Sequence, residues 1–191
     1  MQKHILIALT LTLLFACINN STGKKETQSQ KQAPPATAAA SQKSIPSETS
    51  KSLDNTTIKI NYTAPAVRGR VIWGALVPYD KVWVTGAHQA TSLVVGKDFR
   101  MGGKTIPAGK YAVFTIPGKE QWTVILNKNW NQHQADQYKE SEDVVRLKVK
   151  PQISGESVER LKYEINQTGE QTADIIVSWE KLRLPFSIEI P

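Results

Sequence analysis

A chain of 191 residues with a net charge of +7 and one cysteine cannot form an intramolecular disulfide, because that bond needs two cysteines. Its basic excess is not concentrated in one place: residues 1–53 carry six Lys and two Glu, and the remaining residues carry 18 basic and 15 acidic side chains. Nucleic-acid binding needs clustered cations, so we expect no nucleic-acid partner.

The first seventeen residues have the layout of a bacterial secretion signal. Lys3 precedes a mainly apolar run of eleven residues, Ile5–Phe15, which is too short for a membrane-spanning helix of about 20 residues. The segment Leu14–Cys17 resembles the bacterial lipobox, which implies cleavage before Cys17 and a covalent lipid on its sulfur. We therefore expect a signal peptide over residues 1–17 and a protein anchored to a membrane of the bacterial cell envelope.

A polar segment follows the predicted lipidation site. Residues 18–53 consist mainly of Ser, Thr, Gln, Lys, Ala and Pro, and they contain too few large apolar side chains to form a core. The composition predicts a disordered tether over residues 18–53 and one folded domain over residues 54–191.

The predicted domain is all-β. Its apolar residues recur mostly with period two in short runs separated by Gly, Pro and Asn, which is typical of strands joined by turns. About ten such runs predict an antiparallel sandwich of two sheets, for which a jelly roll is one arrangement. Gly102-Gly103 is typical of a two-residue hairpin turn. Val71–Val77 and Val82–Val84 are also predicted to be strands, and a short helical turn is predicted near residues 129–140.

The two histidines of the domain are candidate metal ligands. His88 and His133 lie in loop-like stretches, and Asp136 follows His133 by three residues. Two imidazoles and one carboxylate form an open site of the kind that holds zinc or iron. Exposed loop histidines without a metal are the alternative interpretation.

The loop around Trp130 is a candidate binding surface. Trp130 lies in the segment Asn127–His133, where amide side chains and an indole together resemble a platform for sugars. The alternative is an aromatic ring that caps the end of the sandwich. The candidate binding residues in this loop and the loop around His88 are His88, Gln89, Trp130, His133, Asp136 and Tyr138.

Several segments together resemble a known bacterial family, the domain of unknown function 2911. The resemblance covers residues 57–191, and its most specific segments are Ile72–Tyr79, Lys81–Thr91, Ile106–Gly118, Trp122–Lys128 and Asp143–Pro151. Because the family has no established activity, the resemblance implies a fold and export but no reaction.

The chain departs from the family pattern at polar positions. That pattern has arginines at the places of Ala64 and Val84, an Asn-Glu pair at His88-Gln89 and a tryptophan at His133. Buried charges persist when they are paired, so the joint loss of two cations and one carboxylate suggests that they were partners. This departure favours a protein without catalytic activity.

Three functions remain open from the sequence. The first is a membrane-anchored, non-catalytic binding module for a glycan, a peptide or an envelope partner. The second is a protein that binds a divalent metal, or a metal-dependent hydrolase, using His88, His133 and Asp136. The third is a purely structural envelope lipoprotein.

Overall fold

The computed structural model describes residues 44–191, in which almost all regular structure is strand. The predicted signal peptide, Cys17 and residues 18–43 of the predicted tether lie outside the described residues. The strands are β1 (Ser44–Leu53), β2 (Thr56–Pro65), β3 (Ser92–Val95), β4 (Phe99–Met101), β5 (Lys104–Ile106), β6 (Gly109–Ile116), β7 (Trp122–Asn127), β8 (Asp143–Val149), β9 (Gln152–Gln167) and β10 (Thr172–Glu189). Nowhere in residues 44–191 is there a helix with the length and apolar content needed to cross a membrane.

The ten strands form two antiparallel sheets, which confirms the predicted sandwich. One sheet has six strands in the order β1-β2-β3-β6-β7-β8, and the other has four in the order β5-β4-β10-β9. Most neighbours in both sheets are consecutive in the chain, so hairpins make up most of the topology. The predicted hairpin at Gly102-Gly103 is confirmed: it joins β4 to β5, and both glycines have positive φ (57° and 78°).

The main core lies between the sheets and contains a cluster of four tryptophans. Along the strands of both sheets, residues that point into this core alternate with residues that face solvent. In β8, for example, Val145 is buried and its neighbour Arg146 is exposed. The ring of Trp73 lies 5.0 Å from that of Trp122 and 5.8 Å from that of Trp179, measured between centroids, and Trp83 stacks on Trp179. Edge-on and offset contacts of this kind are favourable for aromatic rings, so the cluster is a major source of stability.

A second, smaller core covers the opposite face of β6 and β7. Phe114 and Ile125 point away from the main core because neighbouring strand residues alternate between faces. Val84 and Ala90 from one loop and Tyr138 from another pack on them. The two loops that carry the candidate binding residues are therefore fixed to the six-stranded sheet.

Three sequence-based predictions are wrong in position. Residues 44–53 were predicted to belong to the disordered tether, but they form β1, which pairs with β2 along its whole length. Val71–Val77 and Val82–Val84 are not strands; they make only isolated bridges, Trp73 to Val77 and Trp83 to Thr115. The helical turn predicted near residues 129–140 lies at the end of that range, as a 3₁₀ turn at Glu140–Glu142 that follows a hydrogen-bonded turn at residues 134–137.

Candidate functional site

A groove of about 390 Å³ lies beside Trp130 on the six-stranded sheet. Its walls are rich in amide and hydroxyl side chains, and we call it the amide groove. Its lining includes Ser47, Asn61, Tyr62, Gln89, Trp130 and Asn131. The volume is within the range of sites for small ligands.

Three neighbouring strands, β1, β2 and β3, form one wall of the amide groove. Ser47 of β1 is opposite Tyr62 of β2, and Asn61 of β2 is opposite Ser92 of β3. The sequence does not indicate this wall, because the polar composition of β1 is typical of a tether. The regular alternation of β2, with Ile58 and Ile60 buried in the main core, is the signal that places Asn61 on the opposite face, at the groove.

The opposite wall is built by the two loops, which are joined through their backbones. Gln89 and His133 form an isolated antiparallel bridge, and the N–H of Ala90 donates to the carbonyl oxygen of Gln132 at 3.0 Å. The buried Gln132 side chain donates to the carbonyl of Asn129 and accepts from the N–H of Gln137. These contacts hold Gln89 and Trp130 in fixed positions at the groove. Gln132 was not anticipated from the sequence.

Trp130 is one of few large apolar side chains that the described structure leaves exposed, at 38 %. The ammonium nitrogen of Lys110 lies 3.7 Å from the centroid of its ring, a cation–π contact. Both residues line the amide groove. The indole is therefore fixed in orientation while part of its surface faces solvent.

The three predicted metal ligands are not brought together. His133 Nδ1 lies 3.0 Å from Asp136 Oδ2, and both side chains are mostly exposed. His88 lies in the neighbouring loop with a positive φ of 61° and lines a different cavity. Across residues 44–191, no group of three His, Cys, Asp or Glu side chains is placed to hold a metal ion. The structure thus forms a pair where the sequence predicted a triad.

Tyr138 has a structural place rather than a place in the amide groove. Its ring packs edge-on against Phe114, and its hydroxyl donates to Asp143 Oδ2 at 2.7 Å. Burial and the hydrogen bond to Asp143 raise the pKa of Tyr138, since both favour the protonated phenol. Asp143 also accepts from Asn127 and Arg146. This network fixes the end of the loop to the start of β8.

The amide groove has the chemistry of a binding surface. Lys110 is the one charged residue among the side chains that line it. Amides and hydroxyls both donate and accept hydrogen bonds, so they match a ligand that carries many hydroxyl or amide groups. The exposed indole adds a surface for an apolar ring face.

The fold and the groove together define a two-sheet β-sandwich with a polar, tryptophan-containing groove. A family model described as protein of unknown function (DUF2911) matches residues 44–188, and the chain belongs to this family. No curated protein and no solved structure matches the chain. The match begins at the first residue of β1, in agreement with a domain that starts at Ser44 rather than at the predicted residue 54.

Proposed function

We propose that this protein is a lipid-anchored protein of the bacterial cell envelope whose β-sandwich binds a saccharide in the amide groove. The observation that carries the proposal is the exposed, fixed Trp130 beside the amides of Asn61, Gln89 and Asn131. An indole stacks on the apolar face of a sugar ring, and amide groups hydrogen-bond its hydroxyls.

The proposed role is non-catalytic. General acid–base catalysis needs a group that titrates near the working pH within hydrogen-bond reach of the substrate. The groove lining includes neither a carboxylate nor a histidine nor a cysteine among the described residues. The groups that are present fit retention of a ligand rather than its conversion.

The anchor follows from the N-terminal sequence. A lipid on Cys17 would place residues 18–43, a length of 26 residues, between the membrane and β1. The anchor would therefore hold the groove close to the membrane, within the envelope.

Lipidation is tested by growing cells with an alkyne-bearing fatty acid. We expect the expressed chain to carry the label and to fractionate with membranes, and Cys17→Ser to remove both properties. Unlabelled wild-type protein in the soluble fraction would contradict the anchor, but it would leave saccharide binding to be tested separately.

Saccharide binding is tested by titrating the full chain with an N-acetylglucosamine tetramer and with soluble peptidoglycan glycan strands. We expect saturable binding that Trp130→Ala weakens at least about tenfold, because the stacking surface is lost. Gln89→Ala is expected to weaken it by roughly the value of one hydrogen bond, about threefold to tenfold.

The matched control is Gln137→Ala, which removes an exposed amide of the same loop outside the groove lining. It should leave the affinity unchanged. The proposal is wrong if neither saccharide binds, or if all three variants change the affinity equally. A structural role in contact with an envelope protein would then be the remaining hypothesis.

A further inference from the structure

A second cavity, of about 310 Å³, opens elsewhere on the domain, and we call it the tryptophan cavity. Its lining includes Arg68, Arg70, Trp83, Val84, His88 and Trp179. Trp83 and Trp179 stack there with ring centroids 5.8 Å apart and planes inclined by 20°. It shares no lining residue with the amide groove.

The backbone around this cavity is unusually strained. Eight non-glycine residues of the described chain have positive φ, and three of them line the cavity: Arg68 at 52°, His88 at 61° and Gln134 at 48°. Two more, Thr85 and Glu180, are chain neighbours of lining residues. Left-handed φ costs about 1–3 kcal/mol for a non-glycine residue, and such residues collect at functional sites.

The strained backbone at Thr85 is stabilised by buried hydrogen bonds. A β-branched residue at φ 53° is rare, and here it is completely buried. Its hydroxyl donates to Thr115 Oγ1, while its carbonyl accepts from the hydroxyls of Thr91 and Tyr163. This network keeps the chain segment with Trp83, Val84 and Gly86 in one conformation against the cavity.

The charged side chains that line the tryptophan cavity are positive, and none is negative. Arg68 and Arg70 line it, and its lining contains no aspartate or glutamate. Arg70 is anchored by bonds to the carbonyls of Ala66 and Val67. The backbone N–H of Arg68 donates to Glu159, while its guanidinium donates to no acceptor within residues 44–191. One guanidinium is therefore free to bind an anion.

An unsatisfied donor lies in the same lining. Trp179 is 2 % exposed, and its indole N–H has no hydrogen-bond acceptor in the described structure. By contrast, the indole N–H of Trp83 donates to the carbonyl of Gly86 at 3.1 Å. Because the Trp179 nitrogen is itself shielded from solvent, a ligand in the cavity would contact the ring of Trp179 rather than this donor.

We propose that the tryptophan cavity binds a small organic carboxylate with an aromatic or short aliphatic body. The guanidinium of Arg68 matches the two oxygens of a carboxylate in a bidentate pair, and the tryptophan rings and Val84 cover the apolar body. The site is independent of the saccharide groove and does not need it to be occupied.

The test uses the full chain and 4-phenylbutyrate, with 4-phenylbutanol as the uncharged counterpart. We expect saturable binding of the carboxylate, observed as shifts of the Trp83 and Trp179 indole N–H resonances, and binding of the alcohol at least about tenfold weaker. Arg68→Ala should remove most of this difference. Because Arg68 is exposed, its truncation leaves the core unchanged.

The control is Arg183→Ala, which removes an exposed arginine outside the cavity lining and should not alter the affinity. The proposal is overturned if phenylbutyrate does not bind saturably, if the alcohol binds equally well, or if Arg68→Ala and Arg183→Ala have equal effects. The Arg68→Ala variant should still bind saccharide. That result would show that the two sites bind their ligands independently, so the carboxylate proposal can be wrong while saccharide binding stands.

Discussion

Replacing Trp122 with alanine is expected to lower the free energy of unfolding by about 3–5 kcal/mol, the usual cost of removing a large aromatic ring from a packed core. Trp122 is 1 % exposed, and its ring contacts both Trp73 and Trp83. The substitution leaves a cavity next to rings that are themselves packed against Trp179, so little collapse into the space is available.

The same substitution at Trp130 provides the matched control for urea unfolding. Trp130 is 38 % exposed and belongs to neither core cluster, so Trp130→Ala should change the free energy of unfolding by less than about 1 kcal/mol. Equal losses for the two variants would show that the four tryptophans do not form the core of the sandwich.

Asp143→Ala is expected to cost about 2–4 kcal/mol, because one carboxylate joins three side chains. Oδ1 accepts from Asn127 at 2.7 Å, and Oδ2 accepts from Tyr138 at 2.7 Å and from Arg146 at 2.8 Å. The Asp143 side chain is only 5 % exposed, so these charge-assisted bonds are largely shielded from water. Its removal leaves the Tyr138 hydroxyl without its acceptor and frees the loop end from β8.

Asp136→Ala is the matched control for this measurement by thermal or urea unfolding. Asp136 is 65 % exposed and pairs only with His133 in the described structure, so its loss should cost less than about 0.5 kcal/mol. Asp143→Asn should fall between the two, because an amide keeps one acceptor oxygen. A cost for Asp143→Ala no larger than that for Asp136→Ala would contradict the structural role of the network.

The strands with a clear alternation were predictable, and the departures have physical causes. β1 has few apolar residues because it is an edge strand: it pairs with β2 alone, and its polar side chains face water on much of its surface. Its order depends on backbone hydrogen bonds to β2, which composition does not reveal. A polar edge strand therefore resembles a linker in sequence.

The two false strands show the opposite error. Ile72 and Val77 belong to the main core and Val84 to the smaller one, so these segments carry buried residues without sheet pairing. Gly74 turns the first segment with a φ of 83°, and Thr85 ends the second at 53°. The spacing of apolar residues indicates which residues are buried. Packing against distant parts of the chain determines whether the buried segment forms a strand or a loop.

Pro185 lies inside the last strand, although a proline usually interrupts a strand. The structure has one strand, β10, because β9 pairs with it only as far as Arg183 and β4 pairs with it at Glu189. Pro185 therefore lies where no partner needs its missing N–H. The irregularity of β10 lies instead at Glu180, where the register with β9 shifts and φ is positive.

The candidate site was predictable in part. The sequence indicated a binding surface in the polar loop around Trp130 and in the loop that contains Gln89. In the structure these two loops meet at the amide groove. The positions of Asn61 and Ser47 at the groove depend on the register of β2 with β1, which the sequence does not specify. Tyr138 resembles a loop ligand in sequence, but its hydroxyl is bonded to Asp143.

The most direct test of saccharide binding follows the indole N–H resonances of the ¹⁵N-labelled full chain, which has five tryptophans, all within the described domain. Adding the N-acetylglucosamine tetramer or glycan strands should shift the Trp130 signal in a saturable way and leave those of Trp122 and Trp179 in place. An unchanged Trp130 signal at saturating saccharide, or shifts confined to the buried tryptophans, would contradict a saccharide site in the amide groove.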